Sequence, residues 1–73
     1  MNMTQKEKIE LLEELFEADV GAITPEIKLS QVAWDSMAML SLIALVSEKF
    51  GKRLNGADIR AFETVQDILA VME

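Results

Sequence analysis

A serine hydroxyl beside an aspartate, in Val32-Ala33-Trp34-Asp35-Ser36-Met37, is the stretch of this chain with the most chemical promise. Asp and Ser lead the residues that cap helix starts, so the simplest reading is a cap and nothing more. A hydrolase-type nucleophile is excluded, because the chain has no His to act as base and no Gly-x-Ser-x-Gly elbow surrounds Ser36. A further reading makes Ser36 a modification site. A hydroxyl at a helix start lies near free N–H groups and the positive end of the macrodipole, which would stabilise a phosphodiester attached to it. The chain also lacks Cys, which removes disulfides, thiol nucleophiles and the usual N/S zinc sites. No Asp-x-Asp-x-Asp-Gly loop occurs, so no metal is expected.

Helical elements must position this serine. From Thr4, the apolar residues Ile9, Leu12, Leu15 and Phe16 recur at helical spacing, with Glu10, Glu13, Glu14 and Glu17 on the opposite face. Thr4 and Glu7 fit a capping box, and the helix is expected to end before Gly21, read as the left-handed residue near its stop. Ala22 to Trp34 reads as a long loop, with a cap and proline at Thr24-Pro25 that could start a single helical turn. Ile27, Leu29 and Val32 are expected to tie it down. A second helix is predicted from Ser36 to Phe50, capped by Asp35 or Ser36 and stopped by Gly51. Its core stripe reads as Met39, Ile43, Val46 and Phe50, flanked by Leu42. The other face, Met37, Leu40, Ser41, Ala44, Leu45 and Glu48, is more apolar than a solvated helix face normally is. A short helix within Ala57 to Phe62 and a last helix from Thr64, with stripe Val65, Ile68, Leu69 and Met72, complete an all-α, small four-helix bundle of three main helices and one short one.

The 73 residues carry a net charge of −6, and 51% are hydrophobic, which predicts one acidic domain over 1–73. A chain this size builds one core and has little room for an enclosed active site, so an autonomous enzyme is not expected. Phosphate binding needs clustered Lys and Arg, here 7 against 13 acids, so nucleic acid is not an expected partner. No signal-like start or bilayer-length apolar run is present, and a cytoplasmic, monomeric protein is expected.

An acidic helical chain of this length with Asp35-Ser36-Met37 opening its second helix resembles the acyl carrier protein family. Leu29 stands at the family's loop anchor, and Phe62-Glu63-Thr64-Val65-Gln66-Asp67-Ile68 matches its Phe-x-Thr-Val-x-Asp-Leu segment. Two motifs in register, about 26 residues apart, are more specific than either alone. The resemblance implies that Ser36 carries 4′-phosphopantetheine, flanked by Asp35, and that the arm supplies the thiol the chain lacks. Acyl or aminoacyl groups would be held on it as thioesters, for a fatty acid-like pathway or a specialised polyketide, peptide or cell-envelope one. It implies a non-catalytic, freestanding carrier whose partners are a phosphopantetheinyl transferase, an acyl-loading ligase, and a condensing enzyme or acyltransferase. The family docks largely through helix two, which points to Met37, Leu40, Ala44 and Glu48 as partner contacts.

The match is partial there. Ala38 and Ser41 stand where the family often has acids, so the interface is expected to lean on apolar contact more than on charge steering. The position three before the serine, commonly glycine, is Ala33. Trp34 reads either as a loop aromatic packed on the core edge or as a contact for the arm or a partner. The five methionines read as adaptable filler, with Met37 and Met39 beside the site. The alternatives are an unmodified interaction module that keeps the fold and binds through helix two, and a soluble enzyme.

Overall fold

Among the described residues, each of the four helices starts at a polar side chain that captures an otherwise unpartnered N–H. The computed structural model describes residues 3–73. The helices are α1 (Gln5–Phe16), α2 (Ser36–Phe50), α3 (Gly56–Ala61) and α4 (Val65–Val71), with a 3-10 turn at Leu29–Gln31 between the first two. Thr4 with Glu7, Asn55 with Asp58, and Thr64 with Asp67 form reciprocal capping boxes. The Thr4 backbone N–H, and secondarily its hydroxyl, holds the Glu7 carboxyl below the usual carboxylate range. The N–H groups of Glu63 and Thr64 do the same for Asp67.

The bundle closes over Leu12, Leu42, Val46, Val65, Ile68 and Met72, all fully buried. The α1 and α4 stripes lie as the spacing predicts, with Leu12 and Phe16 from α1 and Val65, Ile68, Leu69 and Met72 from α4 in the core. The buried line of α2 differs from the predicted one. It runs through Ala38, Leu42 and Val46, while Met39, Ile43 and Phe50 pack at its flank. Leu45, read as part of the outer surface, also packs against the core, and Ala38 is buried rather than standing at a docking position. Ten of the 15 residues of α2 are apolar, so hydrophobic spacing alone leaves its rotation loosely defined.

At the end of α1 one expectation holds in part, since the helix ends before a left-handed Gly21 but is capped by another residue, and one needs correcting. The helix stops at Phe16, and the left-handed cap is Glu17 (φ 54°), four residues before Gly21, which also has positive φ. Glu13 is buried, because the chain leaving α1 folds back across it and its Oε2 accepts the Gly21 N–H at 2.7 Å. Thr24-Pro25 starts a turn rather than a helix, with the Ile27 N–H donating to the Thr24 carbonyl at 3.2 Å. Ile23, Leu29 and Leu54 enter the core from connecting segments. Met72 is fully buried, Met39 flanks the core, Met37 is exposed, and Met1 lies outside the described residues.

Candidate functional site

Helix α2 follows a long loop whose middle, residues 25–29, is pinned to residues 63–66. Leu29 is buried, and its N–H donates to the Glu63 carbonyl at 2.9 Å. The Val65 and Gln66 N–H groups donate to Ile27 and Pro25, each at 2.9 Å, and Lys28 forms an isolated antiparallel bridge with Thr64. These bonds connect the loop to the start of α4, so the chain approaches Asp35 from a fixed direction. Beyond the 3-10 turn the Trp34 N–H donates to the Val32 carbonyl at 2.8 Å. Ala33 has no positive φ, so the absence of glycine there brings no left-handed strain.

Asp35 has extended backbone and is the cap of α2: its Oδ1 accepts the Ala38 N–H at 2.9 Å. Ser36 is therefore the first helical residue, exposed, with its hydroxyl released from the capping role. Since a helix's first N–H groups have no acceptor within it, those of Ser36 and Met37 stay available beside the hydroxyl, at the positive end of a 15-residue helix. An anionic ester at Ser36 fits this setting.

The remaining predicted residues divide between two surfaces. Met37 and Leu40 are 77% and 67% exposed, and Ala44 and Glu48 are exposed on the same outer side of α2. Trp34 is half-buried and turned to the other side. It meets Phe16 edge-on with ring centroids 6.2 Å apart, and Phe62 at 6.4 Å with a 58° tilt. A groove of about 500 Å³ opens beside it, walled by Leu29, Val32, Trp34 and Phe62. Phe62 was legible only as a motif position and Leu29 also as a residue that ties the loop down, as its burial shows; nothing in their spacing announced a shared groove with Trp34. Among the described residues, no three or more His, Cys, Asp or Glu side chains gather as a metal site, and no helix is long and apolar enough to cross a membrane.

A small helical domain that frees one serine hydroxyl at the head of its second helix, above an exposed apolar helix face, has the form of a carrier for a covalently attached group. The family model described as the phosphopantetheine attachment site matches residues 9–72, and the chain belongs to that family. Comparison with curated proteins and with solved structures gave no significant match. Membership makes this an acyl-carrier-like helical domain that carries covalent 4′-phosphopantetheine. Domains of the family are generally non-catalytic and work with the enzymes of a synthase pathway.

Proposed function

We propose that Ser36 is the residue to which the arm is attached, and that the chain is a non-catalytic carrier of acyl or aminoacyl groups. The observation that carries this reading is the division of roles at the head of α2: Asp35 is the cap, and the neighbouring hydroxyl is exposed and unused. When bound, the arm supplies a terminal thiol on which a group is held as an activated thioester. Ser36 Oγ anchors it, and the N–H groups of Ser36 and Met37 favour the phosphodiester charge next to the chain. The chain has no imidazole to deprotonate the hydroxyl, so a phosphopantetheinyl transferase must provide the base and any magnesium.

Met37, Leu40 and Ala44 form the apolar contact for partner enzymes, with Glu48 at its edge. The partners are the transferase, an acyl-loading ligase, and a condensing enzyme or acyltransferase, in a fatty acid-like or specialised pathway. Charge supports a contact led by apolar area. Residues 35–63 hold Lys49, Lys52, Arg53 and Arg60 against Asp35, Glu48, Asp58 and Glu63, a net charge of zero within a chain of net −6. The Asp58 carboxylate is further engaged by the Asn55 N–H at 3.0 Å. A basic partner therefore gains little attraction from this half of the molecule.

Proteolytic mapping of the modified protein tests the assignment. The added group should appear on the peptide containing Ser36, and its recovery on Ser30, Ser41 or Ser47 instead would overturn it.

A further inference from the structure

Leu11 of α1 faces α2 across a groove shared with Ser41 and Leu45, and Ile9, two residues earlier, points about 160° away from it. On that far side a recess of about 420 Å³ opens between α1 and the chain returning from it. Ile9, Val20 and Ile23 are its apolar walls, and Lys6, Glu10 and Glu13 bring the charge. Val20 is 95% exposed, whereas Glu13 is only 8% exposed. A buried carboxylate costs free energy and is normally paired with a cation or with several donors. Among the described residues Glu13 has one neutral donor, the Gly21 N–H at 2.7 Å on Oε2. No fully enclosed side-chain oxygen among these residues is left without a partner, so Oε1 opens into the recess. Lys6 and Glu10 offset each other, which leaves Glu13 as the uncompensated charge. Latching the turn does not account for that charge, because a glutamine oxygen would accept the same N–H.

We propose that this recess is a second docking point for a partner protein, and that it takes an arginine side chain with an aliphatic neighbour, the guanidinium resting on Glu13. The carboxylate selects a cation, and its burial selects arginine over lysine. A guanidinium is planar and more weakly hydrated than an ammonium, so it enters a part-buried carboxylate site at less cost. Each carboxylate oxygen has two acceptor positions, so Oε2 takes a second donor while it keeps Gly21. Ile9, Val20 and Ile23 cover the methylene stem and the aliphatic neighbour. The site is preformed. The Ala18 N–H donates to the Glu13 carbonyl at 2.8 Å and the Ala22 N–H to the Asp19 carbonyl at 3.0 Å, which fixes the turn that carries Val20. The volume lies within the range of small-ligand pockets, roughly 300–1,000 Å³. A partner held on this side of α1 leaves the outer face of α2 uncovered, so one protein retains the chain while another works at Ser36. That consequence rests on Ser36 being the attachment residue, but the site itself does not.

Backbone amide spectra of the isotope-labelled full chain test the site by titration with three probes. These are N-acetyl-Leu-Arg amide, its neutral citrulline counterpart, and agmatine as a free guanidinium compound. The arginine peptide should give saturable shifts centred on Val20 and Gly21, with the citrulline peptide binding about tenfold more weakly. Glu13→Gln, which keeps an acceptor for the Gly21 N–H, should keep a dispersed spectrum and bind the arginine peptide about tenfold more weakly. Val20→Ser should weaken both peptides, and Glu14→Gln, on the α2 side of α1, should bind as the native chain does. No saturable shift, equal binding of the two peptides, or shifts centred on Met37 and Leu40 overturns the site. Undiminished binding by the folded Glu13→Gln chain overturns the role of its carboxylate. Undiminished binding by Val20→Ser overturns the apolar wall, so the proposal stays exposed even where Glu13→Gln fails to fold. Agmatine binding more tightly than the arginine peptide overturns the protein partner in favour of a small amine.

Discussion

Asp35 accepts the Ala38 N–H at 2.9 Å and thereby makes its neighbour, Ser36, the first residue of α2 instead of its cap. Two residues that are interchangeable as caps are thus given different tasks by one hydrogen bond. Asp35→Ala should cost about 0.5–2 kcal/mol in urea denaturation, the range for a lost helix cap. It should also slow arm attachment, because the Ser36 hydroxyl becomes the nearest substitute acceptor for the first-turn N–H groups. Asp35→Asn keeps an acceptor oxygen and should preserve most of both properties. Equal transferase rates for all three proteins would contradict the division of roles.

The buried line of α2 gives a second prediction. Leu42→Ala removes a fully buried side chain and should cost on the order of 2–5 kcal/mol, whereas Ile43→Ala, at the flank, should cost less. Ala44→Ser, on the exposed face, should stay within about 0.5 kcal/mol. Chemical denaturation of the three variants orders the faces, and a larger loss at Ile43 than at Leu42 would reinstate the stripe predicted from spacing.

Much of the fold could be read from the chain, and the reason is local. Thr4 with Glu7 and Thr64 with Asp67 are capping boxes whose partners lie three residues apart, so their geometry is written in sequence. Gly51 stops α2 as its position suggests, with φ 67°. The rotation of α2 was not legible, because apolar residues surround most of it and packing against the rest of the bundle decides which line is buried. Glu13 was misread for a related reason: its burial depends on the Gly21 N–H, eight residues away, returning over it. At the site, Asp35-Ser36 was visible as a motif, but which of them caps the helix is a matter of backbone geometry. The groove beside Trp34 joins residues 28–34 to 62–64, a pairing made by long-range backbone hydrogen bonds that no periodicity encodes.

Acid should weaken the fold through two caps. Glu7 and Asp67 are held below the usual carboxylate range by hydrogen bonds from the N–H groups they cap, so the folded chain binds protons less readily than the unfolded one. Their contribution is complete above the unfolded carboxylate range, about pH 4, and is lost as pH falls through their lower folded values. The urea midpoint should therefore drop across that acid window, and Asp67→Asn should flatten the drop. An unchanged slope in that variant would remove Asp67 from the account.

Glu17 closes α1 in the left-handed region, where a side chain on Cβ is strained. Glu17→Gly should raise stability by about 1 kcal/mol, since glycine adopts this conformation without the steric cost. A lower thermal midpoint for the variant would mean that the Glu17 side chain contributes more than its backbone costs.

Partner binding should respond to apolar area before salt. Leu40→Ala should weaken the complex with a cognate condensing enzyme, because a large exposed apolar side chain on the proposed contact is removed. Raising ionic strength should change the affinity little, given the zero net charge of residues 35–63. Titration at two salt concentrations separates the effects, and steep salt dependence with an unaffected Leu40→Ala variant would move the interface to the acidic α1.

Intact mass after incubation with coenzyme A, magnesium and a broad-specificity phosphopantetheinyl transferase, with Ser36→Ala in parallel, tests the central claim most directly. The account predicts that the native chain gains one phosphopantetheine and the variant none. A folded native chain that gains nothing from this enzyme or from a cognate transferase, or a variant that is modified equally well, would contradict it. The first result would leave the exposed face of α2 as the binding surface of an unmodified interaction module.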